Sequence, residues 1–225
     1  MGLKMMIKVN PRLLKSILLG TLFVGACISA YHQNWVNALI VLGIILLSLA
    51  PTLFARQFEV SLPVEFDLAT VVFIFAAIFL GELAGFYERF WWWDLLLHLT
   101  SGLLLGMLGL CLVWVLNFNA RIDLELSHPF ICLFAFAFAL SIGTIWEIFE
   151  YSMDKLFAMR MQKSGLDDTM SDLMVDSIGA LTVATGAYAF LATGRKSILS
   201  YWIKRFIEVN RDAIARRRAN ARRKR

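Results

Sequence analysis

Charge is what this chain has least of. Only 17% of its 225 residues are Asp, Glu, Lys or Arg, while 59% are hydrophobic; globular chains carry roughly 25% charged residues. So little charge cannot cover so much apolar surface, which excludes a water-soluble globular domain and leaves lipid as the solvent for most of the chain. Cysteine is scarce too. Cys27, Cys111 and Cys132 have no CxxC spacing and sit in apolar runs, which excludes a thiolate metal site and leaves small packing residues. No Ser-His or Cys-His arrangement offers a nucleophile. The apolar runs are continuous and lack strict alternation, which excludes the strands of a membrane barrel.

What is present is long hydrophobic segments. A transmembrane helix needs about 20 mostly apolar residues. Six stretches qualify: Leu13–Ala30, Asn37–Phe54, Leu68–Phe86, Leu95–Leu116, Pro129–Tyr151 and Leu173–Ala192. Helices satisfy every backbone amide internally, as hydrocarbon demands. The expected fold is an all-α polytopic bundle of about six transmembrane helices in residues 1–194, followed by a basic cytoplasmic tail in 195–225. Trp35, Trp91, Trp92, Trp93, Trp114 and Trp202 fall near the span boundaries, as an aromatic belt would.

Lys and Arg set the orientation. With six spans, Lys4, Lys8, Arg12, Lys15, Arg56, Arg121 and twelve further basic residues after Gly194 share one side. The other side holds Arg89, Lys155, Arg160 and Lys163. Both termini are therefore expected in the cytoplasm. A rival reading makes Lys4–Lys15 the basic region of a signal peptide, with Cys27 a lipidation site after Val24-Gly25-Ala26; the later spans favour a membrane helix instead. In the tail, Leu199, Trp202, Ile203, Phe206 and Ile207 recur at helical spacing, which suits a helix on the inner leaflet. The runs Arg216–Arg218 and Arg222–Arg225 beside a membrane point to anionic lipid rather than nucleic acid.

The acidic residues carry the functional signal, because an ionised group in hydrocarbon needs a partner. The expected outward side holds ten of the seventeen acids, more than its four basic residues can pair. Asp94 and His98 are four apart in the fourth span, and Glu147 and Glu150 three apart in the fifth. Asp168, Asp172 and Asp176 step by fours into the sixth. Residues at these spacings share one helix face. The topology brings all three sets to one level, within about a turn of the outer boundary.

Carboxylates with one imidazole suit Mg²⁺, Mn²⁺ or Zn²⁺. The expected ligands are Asp94, His98, Glu147, Asp172 and Asp176. Glu150 joins them as a catalytic candidate, while Glu82, Asp168 and Thr169 would support the ligands or contact substrate. Plainer roles compete: Asp94, Asp168 and Asp172 suit helix N-termini, and Glu150 and Asp154 suit a wet surface paired with Arg160 or Lys163. Ser101-Gly102, Gly106, Gly109, Gly143, Gly179 and Gly186 permit close helix approach.

Asp94-x3-His98 with Ser101-Gly102, then Trp146-Glu147-Ile-Phe-Glu150, then Asp168-Thr169-x2-Asp172-x3-Asp176-x2-Gly179 resembles the YjdF-like family of bacterial inner-membrane proteins over about Asp94 to Ala187. The resemblance implies a polytopic helical bundle in the inner membrane and no substrate. Three functions fit these residues. The first is a metal-dependent hydrolase or transferase acting on a lipid or polyprenyl-phosphate headgroup. The others are a proton- or cation-coupled transporter and a non-catalytic membrane scaffold.

Overall fold

The computed structural model describes residues 11–33, 35, 41–42, 45, 53, 61–117 and 126–212. Most of the second expected span, 37–54, lies outside them, as do Lys4, Lys8, Arg56, Arg121 and the two basic runs from Arg216 onward. The described residues are helical, and Cα packing divides the chain into two units: Met1–Gln57 with Leu62–Phe86, and Phe58–Ser61 with Tyr87–Arg225.

The first unit contains α1 (Pro11–Tyr31) and α2 (Val64–Phe75), which continues into a π-helical stretch, Ala76–Leu83. Leu22 of α1, Val41 and Ile74 of α2 form its buried core. Phe75 and Phe79 stack beside it, with ring centroids 4.8 Å apart. The stretch widens the helix to i→i+5 hydrogen bonding and ends at Leu83, two residues before Gly85, whose φ of 71° suits glycine. Glu82 is exposed within this stretch.

The second unit holds the short α3 (Phe86–Arg89, beginning at the junction), α4 (Trp93–Asn117), α5 (His128–Phe157), α6 (Leu166–Thr193) and α7 (Ile198–Val209). Among the described residues four segments are long and apolar enough to cross a membrane: Val64–Glu82, Trp93–Trp114, His128–Phe157 and Leu166–Thr193. In α1 the apolar stretch, Ser16–Ile28, is shorter. Hydroxyls inside the long helices bond back to the carbonyl one turn earlier. Thr100 donates to Leu96 O at 2.7 Å, Thr144 to Leu140 O at 2.8 Å and Ser177 to Leu173 O at 2.7 Å. No polar hydrogen of theirs is then left facing hydrocarbon.

α4 is the central helix, half of its span buried. Glycines allow α4 and α6 to touch along their backbones. A Cβ on Gly102 would strike the Asp176 carbonyl, and one on Gly106 would fall 3.1 Å from Val183 Cβ. Packing in lipid relies on such close approach, since apolar burial drives little association there. α5 is inverted relative to a soluble helix: Ile145, Trp146, Ile148 and Phe149 are exposed while Glu147 is buried. An apolar exterior around a polar interior is the pattern of a helix solvated by lipid.

Part of the apolar stripe of α7 packs against protein, while Leu199, Trp202, Ile203 and Ile207 stay partly exposed. Ile203, Phe206 and Ile207 line a small cavity with Met107, Cys111 and Trp114 of α4 and Ala187 and Leu191 of α6. Phe206 is 3% exposed, its ring edge-on to Trp114 with centroids 5.9 Å apart. The helix starts on a reciprocal cap between Ser197 and Ser200. It ends at Asn210, whose amide accepts from Ser61 N at 2.6 Å and donates to Ser61 O at 2.7 Å. Phe206→Ala is therefore expected to destabilise the second unit by about 3 kcal/mol. The check is earlier proteolytic cleavage near 195–197; unchanged protection would mean that α7 is not held by this packing.

Candidate metal centre

His98 lies in the second turn of α4, on the face turned to α5 and α6, and is buried. Its two ring nitrogens meet different neighbours. Nδ1 is 3.2 Å from Asp176 Oδ2 on α6, and an ionised carboxylate only accepts, so Nδ1 carries the proton. In the neutral ring Nε2 is then a lone pair, facing Glu147 Oε1 at 3.7 Å, Asp172 Oδ2 at 3.9 Å and Asp94 Oδ1 at 3.9 Å. Three helices thus contribute to one polar point within an apolar bundle.

Asp176 is held from three directions. Its Oδ1 accepts from Ser101 Oγ at 2.6 Å, and that hydroxyl also lies 2.8 Å from the His98 carbonyl. Its Oδ2 rests against Gly143 of α5, where a Cβ would occupy the carboxylate's place. Carboxylate, imidazole and metal in series form the standard support of a metal-bound histidine, fixing its tautomer and orientation. Asp176 was expected as a ligand; the structure puts it on the opposite side of the ring, as the residue that positions His98.

Glu147 is the reverse case. It is 3% exposed, and neither carboxylate oxygen has a well-formed hydrogen bond, with the Thr169 hydroxyl in weak reach. A buried carboxylate without a donor costs several kcal/mol unless a cation joins it. His98, Glu147 and Asp172 each offer a ligand atom within 4.8 Å of the others; Asp94, Asp168 and Asp172 do the same. Ligands about 2.0–2.2 Å from one ion stand roughly 3.0–3.6 Å apart when adjacent. The observed 3.7 and 3.9 Å need only small side-chain rotations to close on one. Oxygen-rich ligation with one imidazole fits Mg²⁺, Mn²⁺ or Zn²⁺.

The loop from Ala158 to Gly165 covers this end of the bundle. Asp154, still within α5, accepts from Met161 N at 2.7 Å and Gln162 N at 2.9 Å, so it organises the loop instead of standing free in water. Gln162 Nε2 donates to Thr169 Oγ1 at 2.5 Å. Lys163 N donates to Asp168 Oδ2 at 3.1 Å. Lys163 Nζ lies 3.6 Å from Asp94 Oδ2 and donates to the Tyr87 carbonyl at 2.9 Å.

The structure therefore brings together Asp94, His98, Glu147, Asp172 and Asp176, with Asp168 at the rim. Glu150 is half-buried, within electrostatic reach of Glu147, Asp94 and His98. Thr169 pairs with Gln162, and Glu82 lies in the first unit. α5 runs ten residues past Glu147 and α6 begins six before Asp172, so these two acids are recessed by about 9–15 Å from those helix ends, while Asp94 lies in the first turn of α4. Sequence reasoning missed Gly143, Ser101 and Lys163 as parts of the site. Gly143 lies four residues before Glu147 and Ser101 three after His98, spacings that place each on the polar face. Lys163 had no comparable local signal.

Comparison with known proteins gives a concordant placement. The family described as "Predicted membrane protein (DUF2238)" matches residues 11–193, and the chain belongs to that family. An uncharacterized protein of Thermotoga maritima is 28% identical over 139 residues, 62% of this chain and 70% of the relative. No solved structure matches. An uncharacterised membrane family is what the YjdF-like motifs implied.

Proposed function

We propose that His98, Glu147 and Asp172 hold one divalent metal ion and that the protein is a membrane-embedded hydrolase or transferase acting on a phosphate-bearing lipid or polyprenyl headgroup. The observation that carries the metal reading is the pairing of an oriented Nε2 with a buried Glu147 carboxylate that has no well-formed hydrogen bond. Bound at this point, the ion would supply Lewis-acid polarisation of a phosphoryl oxygen and a more acidic water. Asp176 fixes the imidazole, and Glu150, one turn beyond Glu147, is placed to take or return a proton as general base.

The headgroup reading is supported by the setting. The cluster is recessed from one end of a bundle whose flanks are apolar and exposed, so a lipid can approach sideways while its headgroup meets the acids. By the Lys and Arg distribution that end faces away from the cytoplasm of a bacterial inner membrane. Anionic lipid contact at the tail would fall to Lys204, Arg205 and the basic runs beyond.

Purified protein in detergent is expected to bind Mn²⁺ or Zn²⁺ at micromolar level or tighter. His98→Ala should weaken binding at least about 100-fold and Asp176→Asn about 10- to 100-fold, the range for loss of a residue that supports a ligand. Calorimetry with elemental analysis decides it. If Mg²⁺, Mn²⁺ and Zn²⁺ all fail to bind at millimolar concentration, the metal reading is wrong. A second reading, proton- or cation-coupled transport, draws on the same contacts: an imidazole ringed by four carboxylates is also a proton relay. Flux into proteoliposomes that depends on Glu147 without any divalent ion would select it.

A further inference from the structure

We propose that the Lys163 ammonium is the built-in second cation of this centre, so that the site binds one metal ion and presents Lys163 to an anionic oxygen of the ligand. The inference rests on the metal reading above and extends it to the composition of the site.

The two potential triads, His98/Glu147/Asp172 and Asp94/Asp168/Asp172, share Asp172. That sharing is the layout of a two-ion centre, in which a bridging carboxylate joins two metals. The triads are not treated alike. The inner one contains Glu147, buried and without a well-formed hydrogen bond. In the outer one both remaining acids already have a donor from a single residue, an ammonium for Asp94 and a neutral backbone N–H for Asp168. Asp94 Oδ2 lies 3.6 Å from Lys163 Nζ, and Asp168 Oδ2 accepts from Lys163 N at 3.1 Å. A metal ion at Asp94 and Asp168 would have to share Asp94 with the Lys163 ammonium, at the cost of like-charge repulsion.

Lys163 is held where it stands. Its ammonium donates to the Tyr87 carbonyl at 2.9 Å and sits 4.9 Å from the Tyr87 ring centroid, and Asp154 fixes the preceding two residues of the loop by their backbone N–H groups. An ammonium has three N–H donors. Tyr87 and Asp94 take two, which leaves one for a ligand. The side chain is 34% exposed and Asp94 20%, against 3% for Glu147, so the ammonium lies between open solvent and the buried acids. No other Lys or Arg among the described residues makes an ion pair with the cluster. An anionic group approaching this ring of carboxylates meets repulsion everywhere except at the metal and at Lys163. The chemistry recognised is a phosphate monoester or inorganic phosphate, one oxygen toward each cation.

The test is metal stoichiometry, read by Mn²⁺ titration with EPR on the full chain in detergent. Wild type is expected to bind one Mn²⁺ with an uncoupled signal. Lys163→Met should bind two, with exchange broadening from a coupled pair, and Lys163→Arg should return to one. Wild type binding two overturns the inference and leaves the metal reading intact, whether or not Lys163→Met folds. A folded Lys163→Met that still binds one overturns it equally. Wild type binding none rejects the metal reading and this inference with it. On the Mn²⁺-loaded protein, inorganic phosphate and a short-chain phosphatidate are then titrated separately. A loss of about tenfold in affinity in Lys163→Met, for either or both, supports the contact to phosphate oxygen and names its source. Equal affinity for both in wild type and Lys163→Met overturns that part.

Discussion

Glu147→Gln is expected to raise the melting temperature of the metal-free protein while lowering divalent-ion affinity by at least about 100-fold. The two effects have one origin. Glu147 is 3% exposed and has no well-formed hydrogen bond, so in the metal-free state the fold carries a buried acid whose ionised form is offset by little more than His98, 3.7 Å away. Removing that charge while keeping the side chain's shape recovers about 1–3 kcal/mol. The new amide N–H groups can also donate to carboxylates that face His98 Nε2, such as Asp172. The metal-bound state has the opposite preference, because an amide oxygen is a weaker ligand than a carboxylate. Loss of a residue that only supports a ligand costs 10- to 100-fold in affinity, and a direct ligand should cost no less. Such a trade of stability for function is characteristic of a site built for a charged ligand. Thermal melts with and without Mn²⁺ measure both effects. A variant less stable than wild type without metal, with Mn²⁺ affinity unchanged, would make Glu147 a structural residue and remove the basis of the proposed centre.

The legible part of this protein was what hydrophobicity and helical period control. The continuous runs in α4, α5 and α6 marked three of the long helices, and the three- and four-residue spacings placed Asp94, His98, Glu147, Asp172 and Asp176 on inward faces. Helix ends were less legible. α5 continues past Tyr151 to Phe157 and α6 starts at Leu166, not Leu173, because polar residues extend a helix as readily as they end it. Here Asp154 and Asp168 bind the connecting loop. The division of labour between Asp172 and Asp176 was beyond sequence reasoning altogether. One turn apart on one face, they differ only in which side of the imidazole they meet, and Ser101 and Gly143 settle that from other helices. The apolar stripe of α7 was ambiguous for a similar reason: periodicity shows that a face is buried and is silent on whether lipid or protein buries it.

Two glycine substitutions separate the scaffold from the chemistry. Gly179→Ala is expected to destabilise the second unit by about 3 kcal/mol, at the upper end of what overpacking costs. Its new Cβ would fall 2.5 Å from Leu99 O and 3.0 Å from Leu103 N. Both are backbone atoms of α4, so no side chain can swing aside and the two helices must part. That separation also pulls Asp176 from His98 and Ser101, so metal affinity falls together with stability. In Gly143→Ala the atom met is Asp176 Oδ2, the end of a side chain that can rotate. The backbone of α5 then stays in place, and melting should change by much less. His98 nevertheless loses its Nδ1 partner, and affinity for Mn²⁺ should drop about 10- to 100-fold. Melting curves and metal titrations on the two variants give a crossed comparison. If Gly143→Ala keeps wild-type affinity, the Asp176–His98 contact does not prepare the imidazole for metal, and Asp176 is only part of the helix packing.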